Sequence, residues 1–377
     1  MTIKTEANAT LPIHKLDNNW FAFRLLGELP KKDNLFYSPV SLRIALAMIY
    51  LGAKGETSRQ IAKVCGFDND QEQFQLEIQR IYKRLAISKV IRLANNVWAS
   101  NKHNIVPLFQ KTIKETFGTQ ISQANFSENW DVVRKEINEW VEKQTNNKII
   151  DLLETEHVEH NTQMILVSAI HFEGFWEDAF DPKITKEQPF HTSSGIVNSR
   201  FMSKIRKIAF YGENPDLQIL EIPYKADFIL TIILPQAFNG LDAIEKQITN
   251  RGFTDLPRTT RRVVDIFFPK FRLDCKFSAK QVLQTLGMTL AFSDEGDFSG
   301  ITESRPPIIV NDVIHKACCQ VDEEGTEAAA ATAVIMGTGC VSIPTTTFLA
   351  NHPFLFTIED RYTRQIMFMG RVEDPSI

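Results

Sequence analysis

The most informative stretch of the chain is Glu323-Glu324-Gly325-Thr326-Glu327-Ala328-Ala329-Ala330-Ala331-Thr332, an acidic turn followed by small side chains. No charge occurs between Glu327 and Pro344. Successive strand side chains point to opposite faces, so a strand here would have a small, uncharged face beginning at Thr326. Alanine, however, favours helices over strands. The stretch therefore fits an Ala-rich surface helix, or a segment that is a loop or helix in one state and a strand in another.

Several other motifs follow a fixed order along the chain. They are Asn34-Leu35-Phe36-Tyr37-Ser38-Pro39-Val40-Ser41, Leu51-Gly52-Ala53-Lys54-Gly55-Glu56-Thr57, Phe172-Glu173-Gly174-Phe175-Trp176, Asp297-Phe298-Ser299-Gly300, Asn351-His352-Pro353-Phe354-Leu355-Phe356 and Phe368-Met369-Gly370-Arg371-Val372. In sequence and order they resemble the motifs of the serpin family, and residues 323–332 resemble the hinge of the serpin reactive-centre loop. The resemblance implies an α+β serpin fold: one domain over 1–377, with a helical cluster packed on three β-sheets and an exposed reactive-centre loop at about 325–346.

Local patterns predict helices first and strands later, as in an α+β chain. Apolar spacing and start signals predict helices over 20–29, 41–51, 71–85, 107–116 and 130–145. Apolar runs predict strands over 164–172, 217–222, 228–234, 263–269 and 354–358, with one helix among them at 278–286.

Composition and charge indicate which kinds of partner the protein can have. The 377 residues are 43% hydrophobic and include 27 Phe, which is enough for a sizeable core. A net charge of -4 gives no reason to expect nucleic acid. The apolar runs are too short to span a bilayer and the first residues lack an apolar signal core, so we expect a cytoplasmic monomer without membrane contact.

Five cysteines, Cys65, Cys275, Cys318, Cys319 and Cys340, lack the paired spacing of a zinc site. We predict free, buried thiols, except for Cys340 in the exposed loop, and neither a metal nor a cofactor. The basic pairs Lys83-Arg84 and Arg261-Arg262 are interpreted as solvated surface, with a polyanion site as the alternative.

The chain has no Gly-x-Ser-x-Gly elbow, no His-Glu-x-x-His and no phosphate-binding glycine loop, so an enzyme, in particular a hydrolase, is the weak alternative. The resemblance instead assigns a group of residues to the region where the central sheet opens: Ser38, Ser41, Ser168, Trp176 and His315. Ser168 stands where the family usually has Asn, and Glu173 where it usually has Lys.

The resemblance implies a suicide-substrate inhibitor that forms a covalent complex with its target protease. Counting the hinge length from Gly325 places the reactive bond between Gly339 and Cys340, whereas counting back from the 351–356 motif places it nearer Ser342. The bait Met336-Gly337-Thr338 offers no Arg or Lys, which favours an elastase-like serine protease. Papain-like cysteine proteases are the second choice, and a noninhibitory serpin is the alternative.

Overall fold

The computed structural model describes residues 19–326 and 345–376. Within these ranges the chain forms eight α-helices: Trp20–Glu28 (α1), Pro39–Tyr50 (α2), Gly55–Cys65 (α3), Gln71–Ala86 (α4), Pro107–Phe117 (α5), Phe126–Gln144 (α6), Leu241–Arg251 (α7) and Lys280–Thr285 (α8). The strands are Leu35–Tyr37 (β1), Ile91–Ser100 (β2), Ser122–Ala124 (β3), Met164–Phe172 (β4), Gly174–Phe175 (β5), Lys186–Thr192 (β6), Gly195–Glu213 (β7), Leu217–Pro223 (β8), Phe228–Pro235 (β9), Thr260–Pro269 (β10), Phe271–Ser278 (β11), Asp312–Val321 (β12), Gly325–Thr326 (β13), Thr346–Leu349 (β14), Phe354–Asp360 (β15) and Ile366–Val372 (β16).

The strands pair into two sheets. The first has the order β1-β16-β15-β9-β8-β7-β10-β14, with β6 also paired to β7. The second has the order β3-β2-β4-β12-β13-β5, with β11 also paired to β12. The predicted α+β fold is confirmed, and all the predicted helices and strands are found.

The resemblance led us to expect three sheets, but hydrogen bonding joins two of them into one. The cause is β7, whose 19 residues pair first with β6, then with β10 and finally with β8. The strand passes a bend at Arg206, where φ is 54°. Here Ile205 and Arg206 of β7 face the single residue Asp265 of β10, which makes a bulge on β7, and a bulge bends its strand without ending the pairing.

Helix α2 lies in the centre of the molecule, and all twelve of its residues are buried. It begins at Pro39 and not at the predicted residue 41. Ser38 is the N-cap, because its Oγ accepts the Ser41 N–H at 3.1 Å, and Pro39 fits the first turn, where no N–H partner is needed. Two helices were not predicted, α3 and α7. Apolar Leu241, Ile244 and Ile248 of α7 have helical spacing and are buried.

The predicted burial is confirmed for three cysteines. Cys65 is a buried free thiol, while Cys275 is a free thiol that is only half-buried. Cys318 and Cys319 are both buried, on opposite faces of β12 as alternation requires. Cys340 lies outside the described residues. In the described part of the chain no helix is long and apolar enough to cross a membrane.

Candidate functional site

Strand β13 occupies a narrow space at one end of the second sheet, which we call the hinge slot. Farther down the second sheet, away from the hinge slot, β4 pairs directly with β12, from Ile165 opposite Asp312 to His171 opposite Cys318. At the hinge slot itself, β13 lies between β12 and β5, with Thr326 opposite both Val321 and Gly174. The two residues of β13 therefore separate β12 from β5, which begins two residues after β4, the strand that pairs directly with β12 lower in the sheet.

The hinge slot has no room for a side chain at Gly325. A Cβ on this residue would overlap the carbonyl oxygen of Gly174 and come within 2.7 Å of the Phe175 Cα, at a φ of +155°. The turn before it is held by Asp322, whose Oδ1 accepts the N–H groups of Glu324 at 3.0 Å and Gly325 at 3.3 Å. Such turns are typical of aspartate.

The hinge slot corrects the predicted start of the exposed loop. We expected exposure from about residue 325, but Gly325 and Thr326 are both buried. Gly325 pairs with β5, and Thr326 pairs with β5 on one side and β12 on the other. At the other end, Thr346 already belongs to β14. The other predicted hinge, bait and reactive-bond residues lie outside the described ranges: Glu327, Ala328, Ala329, Ala330, Ala331, Thr332, Met336, Gly337, Thr338, Gly339 and Cys340.

Thr326 is fully buried beneath an aromatic pair. Its hydroxyl lies 3.0 Å from the Tyr224 Oη, and the Tyr224 ring stacks on Trp176 with centroids 4.5 Å apart. The Trp176 indole N–H donates to the Asp322 carbonyl at 2.9 Å, and its backbone N–H donates to the Glu324 carbonyl at 2.9 Å. Burial raises the pKa of Tyr224 well above its usual range, so its hydroxyl stays neutral.

Glu323 fixes the turn from the other side. Its carboxylate accepts hydrogen bonds from the Lys270 ammonium at 2.6 Å and the Thr185 hydroxyl at 2.7 Å. Burial raises the pKa of Glu323, but the bonds from Lys270 and Thr185 outweigh burial, and the pKa lies below its usual range. Its backbone carbonyl accepts the Phe180 N–H at 2.7 Å.

A second group of predicted residues meets deeper in the molecule, in a buried serine–histidine chain consisting of Ser38, Ser41, Asn95, Ser168 and His315. The His315 Nε2 accepts the Ser38 N–H at 3.0 Å, and its Nδ1 lies 3.0 Å from the Ser168 Oγ. Burial lowers the pKa of His315 to about 3, so the ring is neutral. Because Nε2 accepts, Nδ1 carries the hydrogen and donates it to Ser168.

This tautomer sets the direction of the remaining bonds. Ser168 can donate to the Ser41 Oγ at 2.8 Å, and Ser41 donates to the Asn95 Oδ1 at 2.9 Å. Asn95 returns a bond from Nδ2 to the Ser41 carbonyl at 2.6 Å. The chain thus links β12, β4, α2 and β2. Ser168 therefore bonds His315 even though it replaces the usual Asn.

The chain is not arranged for nucleophilic catalysis. The Ser38 hydroxyl donates to the Met367 carbonyl at 2.7 Å and not to His315, and Ser168 receives a hydrogen from the ring instead of losing one to it. Trp176 lies at the hinge slot and belongs to a different cluster from the serines. Among the described residues, no group of three or more His, Cys, Asp or Glu side chains could hold a metal ion.

Sequence reasoning missed four side chains that complete these two clusters: Asn95, Thr185, Tyr224 and Lys270. Each is far along the chain from its partner, up to 138 residues for Thr185 and Glu323. The motifs around them carry no local signal of these contacts.

Comparison with known proteins agrees with this geometry. A family model described as serpin (serine protease inhibitor) matches residues 16–375. Human serpin B3 is 34% identical, and rat leukocyte elastase inhibitor A is 36% identical; each alignment covers 95% of this chain and 98% of the relative. The crystal structure of Serpin48 from the insect Tenebrio molitor is 30% identical and superposes with a TM-score of 0.85, covering 96% of this chain and 99% of that one.

The fold and the hinge slot define an α+β protein in which Gly325 and Thr326 lie inside the second sheet. The chain belongs to the serpin (serine protease inhibitor) family. The description of the family is that of serine protease inhibitors.

Proposed function

We propose that the protein is a suicide-substrate inhibitor of serine endopeptidases with elastase-like specificity. One observation carries this proposal: Gly325 and Thr326 already lie in the sheet between β12 and β5, with the Thr326 side chain fully buried. The residues that follow them in the sequence are those that a growing strand would add next.

The composition of those residues supports insertion. If the strand continued in the register of Thr326, alternation would place Ala328, Ala330 and Thr332 on the same buried face. All three are small and uncharged. A charged or large polar side chain on this face would lose its hydration, at a cost of several kcal/mol, about 2–7 for an unpaired polar group.

Insertion requires β4 and β12 to separate. This would break their parallel ladder and the Ser168–His315 contact that crosses the same seam. An inserted strand would form a ladder on each of its sides, so the sheet would gain more hydrogen bonds than it loses. In the proposed mechanism, cleavage frees the loop, the hinge inserts, and the protease is carried away as a trapped acyl-enzyme.

The specificity proposal depends on the bait. With the reactive bond at Gly339–Cys340, Met336, Gly337 and Thr338 precede it, and none would fill a trypsin-like pocket. The relative named leukocyte elastase inhibitor A, which is 36% identical, is consistent with an elastase-like target. A papain-like cysteine protease remains the second target class. We also propose that the chain is a single-domain cytoplasmic monomer.

The test is incubation with elastase, chymotrypsin, trypsin and papain, followed by denaturing gels. We expect a complex with elastase that survives denaturation and whose mass is the sum of protease and serpin fragment. The Thr326→Arg variant is the control, in which cleaved serpin should replace the complex. Cleavage without any complex in the wild type would favour a noninhibitory serpin, and a complex with papain alone would move the target class to cysteine proteases.

A further inference from the structure

Strands β7 and β10 carry an apolar patch on their outer face. Phe210 pairs with Arg261 and Ile208 pairs with Val263, so these four side chains share one face. Ile208 is 72% exposed and Phe210 is 41% exposed. The opposite face is the inner one, since Tyr211 is fully buried there. We call Ile208, Phe210, Arg261 and Val263 the ribbon patch.

The ribbon patch departs from the usual pattern of an antiparallel pair. Such a pair with one buried face normally has polar residues on the other face. Here three of the four outward side chains are apolar, and Ile205, three residues before Ile208 in β7, is 53% exposed. Because exposed side chains add little to folding, a contiguous apolar surface of this kind points to an interaction.

The patch lies beside the point where the reactive loop rejoins the first sheet. Strand β14 runs parallel to β10, with Thr346 opposite Val264. The chain that enters β14 therefore arrives next to Val263. Cys340, which follows the proposed reactive bond, is six residues before Thr346, a span of at most about 20 Å. A globular protease that holds this bond is therefore within reach of the ribbon patch.

We propose that the ribbon patch is an accessory docking site for the target protease, contacting its surface outside the active-site cleft. This inference rests on the proposed function and deepens it. Aromatic and arginine side chains are typical of the centres of protein interfaces. The complementary protease surface is apolar and flanked by carboxylates.

Charge supports this choice of partner. The Arg261 guanidinium lies over the Phe210 ring at 5.6 Å and remains exposed, so it can meet a carboxylate. Arg262 instead bonds Glu213 at 3.1 Å, so the two arginines that are adjacent in sequence do not act as one cationic pair. An accessory contact of this kind raises the association rate and distinguishes proteases that share a cleft specificity.

The test uses the double variant Ile208→Thr/Phe210→Thr, because threonine keeps strand propensity while removing the apolar surface. A second variant is Arg261→Ser. The matched control is Ile196→Thr, which removes an isoleucine that is 65% exposed near the other end of β7. For the protease trapped by the wild type, we would measure the second-order rate constant of complex formation, the stoichiometry of inhibition and the melting temperature.

We expect the double variant to associate at least fivefold more slowly, with the stoichiometry and melting temperature of the wild type. Arg261→Ser should lower the rate and its dependence on ionic strength. The Ile196→Thr control should have the association rate of the wild type. Equal rates in all variants, with normal complex formation, would overturn the docking site alone, whereas absence of any wild-type complex would overturn the proposed function as well. A wild-type dimer that the double variant dissociates would identify a second copy as the occupant and overturn the proposal.

Discussion

The Lys270 ammonium lies 2.6 Å from the Glu323 carboxylate and closes the turn that leads into the hinge slot. Lys270 is the single residue between β10 and β11, which belong to the first and second sheets respectively. Glu323 is the second residue after β12. The ion pair therefore ties the start of the hinge to the junction of the two sheets, and with only 8% of the Glu323 side chain exposed it is poorly screened by water.

Replacing Glu323 by glutamine should destabilise the uncleaved protein by about 1.5–3 kcal/mol, the usual range for a hydrogen bond to a charged group. The pKa of Glu323 is lower in the folded state than in the unfolded state. The carboxylate therefore stabilises the protein at neutral pH, and this stability is lost as the pH falls through the folded-state pKa. The difference between wild type and variant, measured by urea unfolding, should therefore shrink below about pH 4.

Two controls test whether the effect comes from the Glu323–Lys270 ion pair. Glu56→Gln removes an exposed partner of Arg59, whose pair has side chains 57% and 72% exposed, and should leave the urea midpoint unchanged. The Lys270→Met variant completes a double-mutant cycle with Glu323→Gln. If the two substitutions prove additive, the ion pair does not stabilise the hinge.

The neutral His315 should make the uncleaved protein acid-sensitive. Its folded-state pKa of about 3 is below the value of an unfolded histidine, about 6.5, so the unfolded state binds an additional proton between these values. Stability is then lost as the pH falls below about 6.5, at about 1.4 kcal/mol per pH unit. We expect His315→Asn to have a shallower dependence of unfolding free energy on pH between 7 and 5.

The exposed His160 provides the control, because His160→Asn changes the same residue type outside the buried chain. Its pH dependence should follow the wild type. Should His315→Asn retain the full wild-type slope, the titration must arise elsewhere, for example at His103 or His352, whose pKa values are also lowered by burial.

How far the sequence predicts this site depends on how local each contact is. Strand β4 matches its predicted bounds because Met164–Phe172 is mostly apolar, with only Ser168 and His171 polar, and is buried on both faces. Helix α7 could also have been predicted, since its apolar spacing is visible. Strand β13 could not, because a two-residue strand exists only through its pairing with β12 and β5. Likewise, no local pattern brings Tyr224 to Thr326, 102 residues away.

Thr326→Arg should convert the inhibitor into a substrate. Thr326 is fully buried opposite Gly174, where a Cβ would already meet the Phe172 ring at 2.7 Å, so a guanidinium has neither space nor water. Slower insertion lets the acyl-enzyme hydrolyse first, and the stoichiometry of inhibition should rise several-fold. Thr347→Arg, at an exposed position of β14, should leave the stoichiometry unchanged. Equal stoichiometry for both variants would contradict insertion through the hinge slot.

Cleavage within the loop should stabilise the protein, because the added strand releases free energy that the uncleaved fold withholds. We expect the melting temperature to rise by more than roughly 10 °C, which is about 8 kcal/mol for a chain of this length. The nicked Thr326→Arg variant should gain much less, since its hinge does not fit. An unchanged wild-type midpoint after nicking would support the noninhibitory alternative.

Gly339→Arg should redirect the inhibitor to trypsin-like proteases. Glycine gives a specificity pocket nothing to bind, so recognition at the native bond depends on Thr338, Met336 and the extended backbone. An arginine there supplies the missing side chain, and because it lies at the end of the hinge it need not enter the crowded face of the sheet. Denaturing gels with trypsin should then show a stable complex for this variant and none for the wild type.

The peptide that cleavage releases from the inhibitor identifies the reactive bond. Mass spectrometry of the elastase complex of the wild type should find a new N-terminus at Cys340. The matched variant Ser342→Arg places the same charge three residues later, where trypsin would cut too far along the loop for the hinge length, so we expect cleavage with little trapping. A new N-terminus at Val341, Ser342 or Ile343, or efficient trapping of trypsin by Ser342→Arg, would show that the count from Gly325 is wrong. The reactive bond would then lie where the count from Asn351 places it, and the bait would include Cys340.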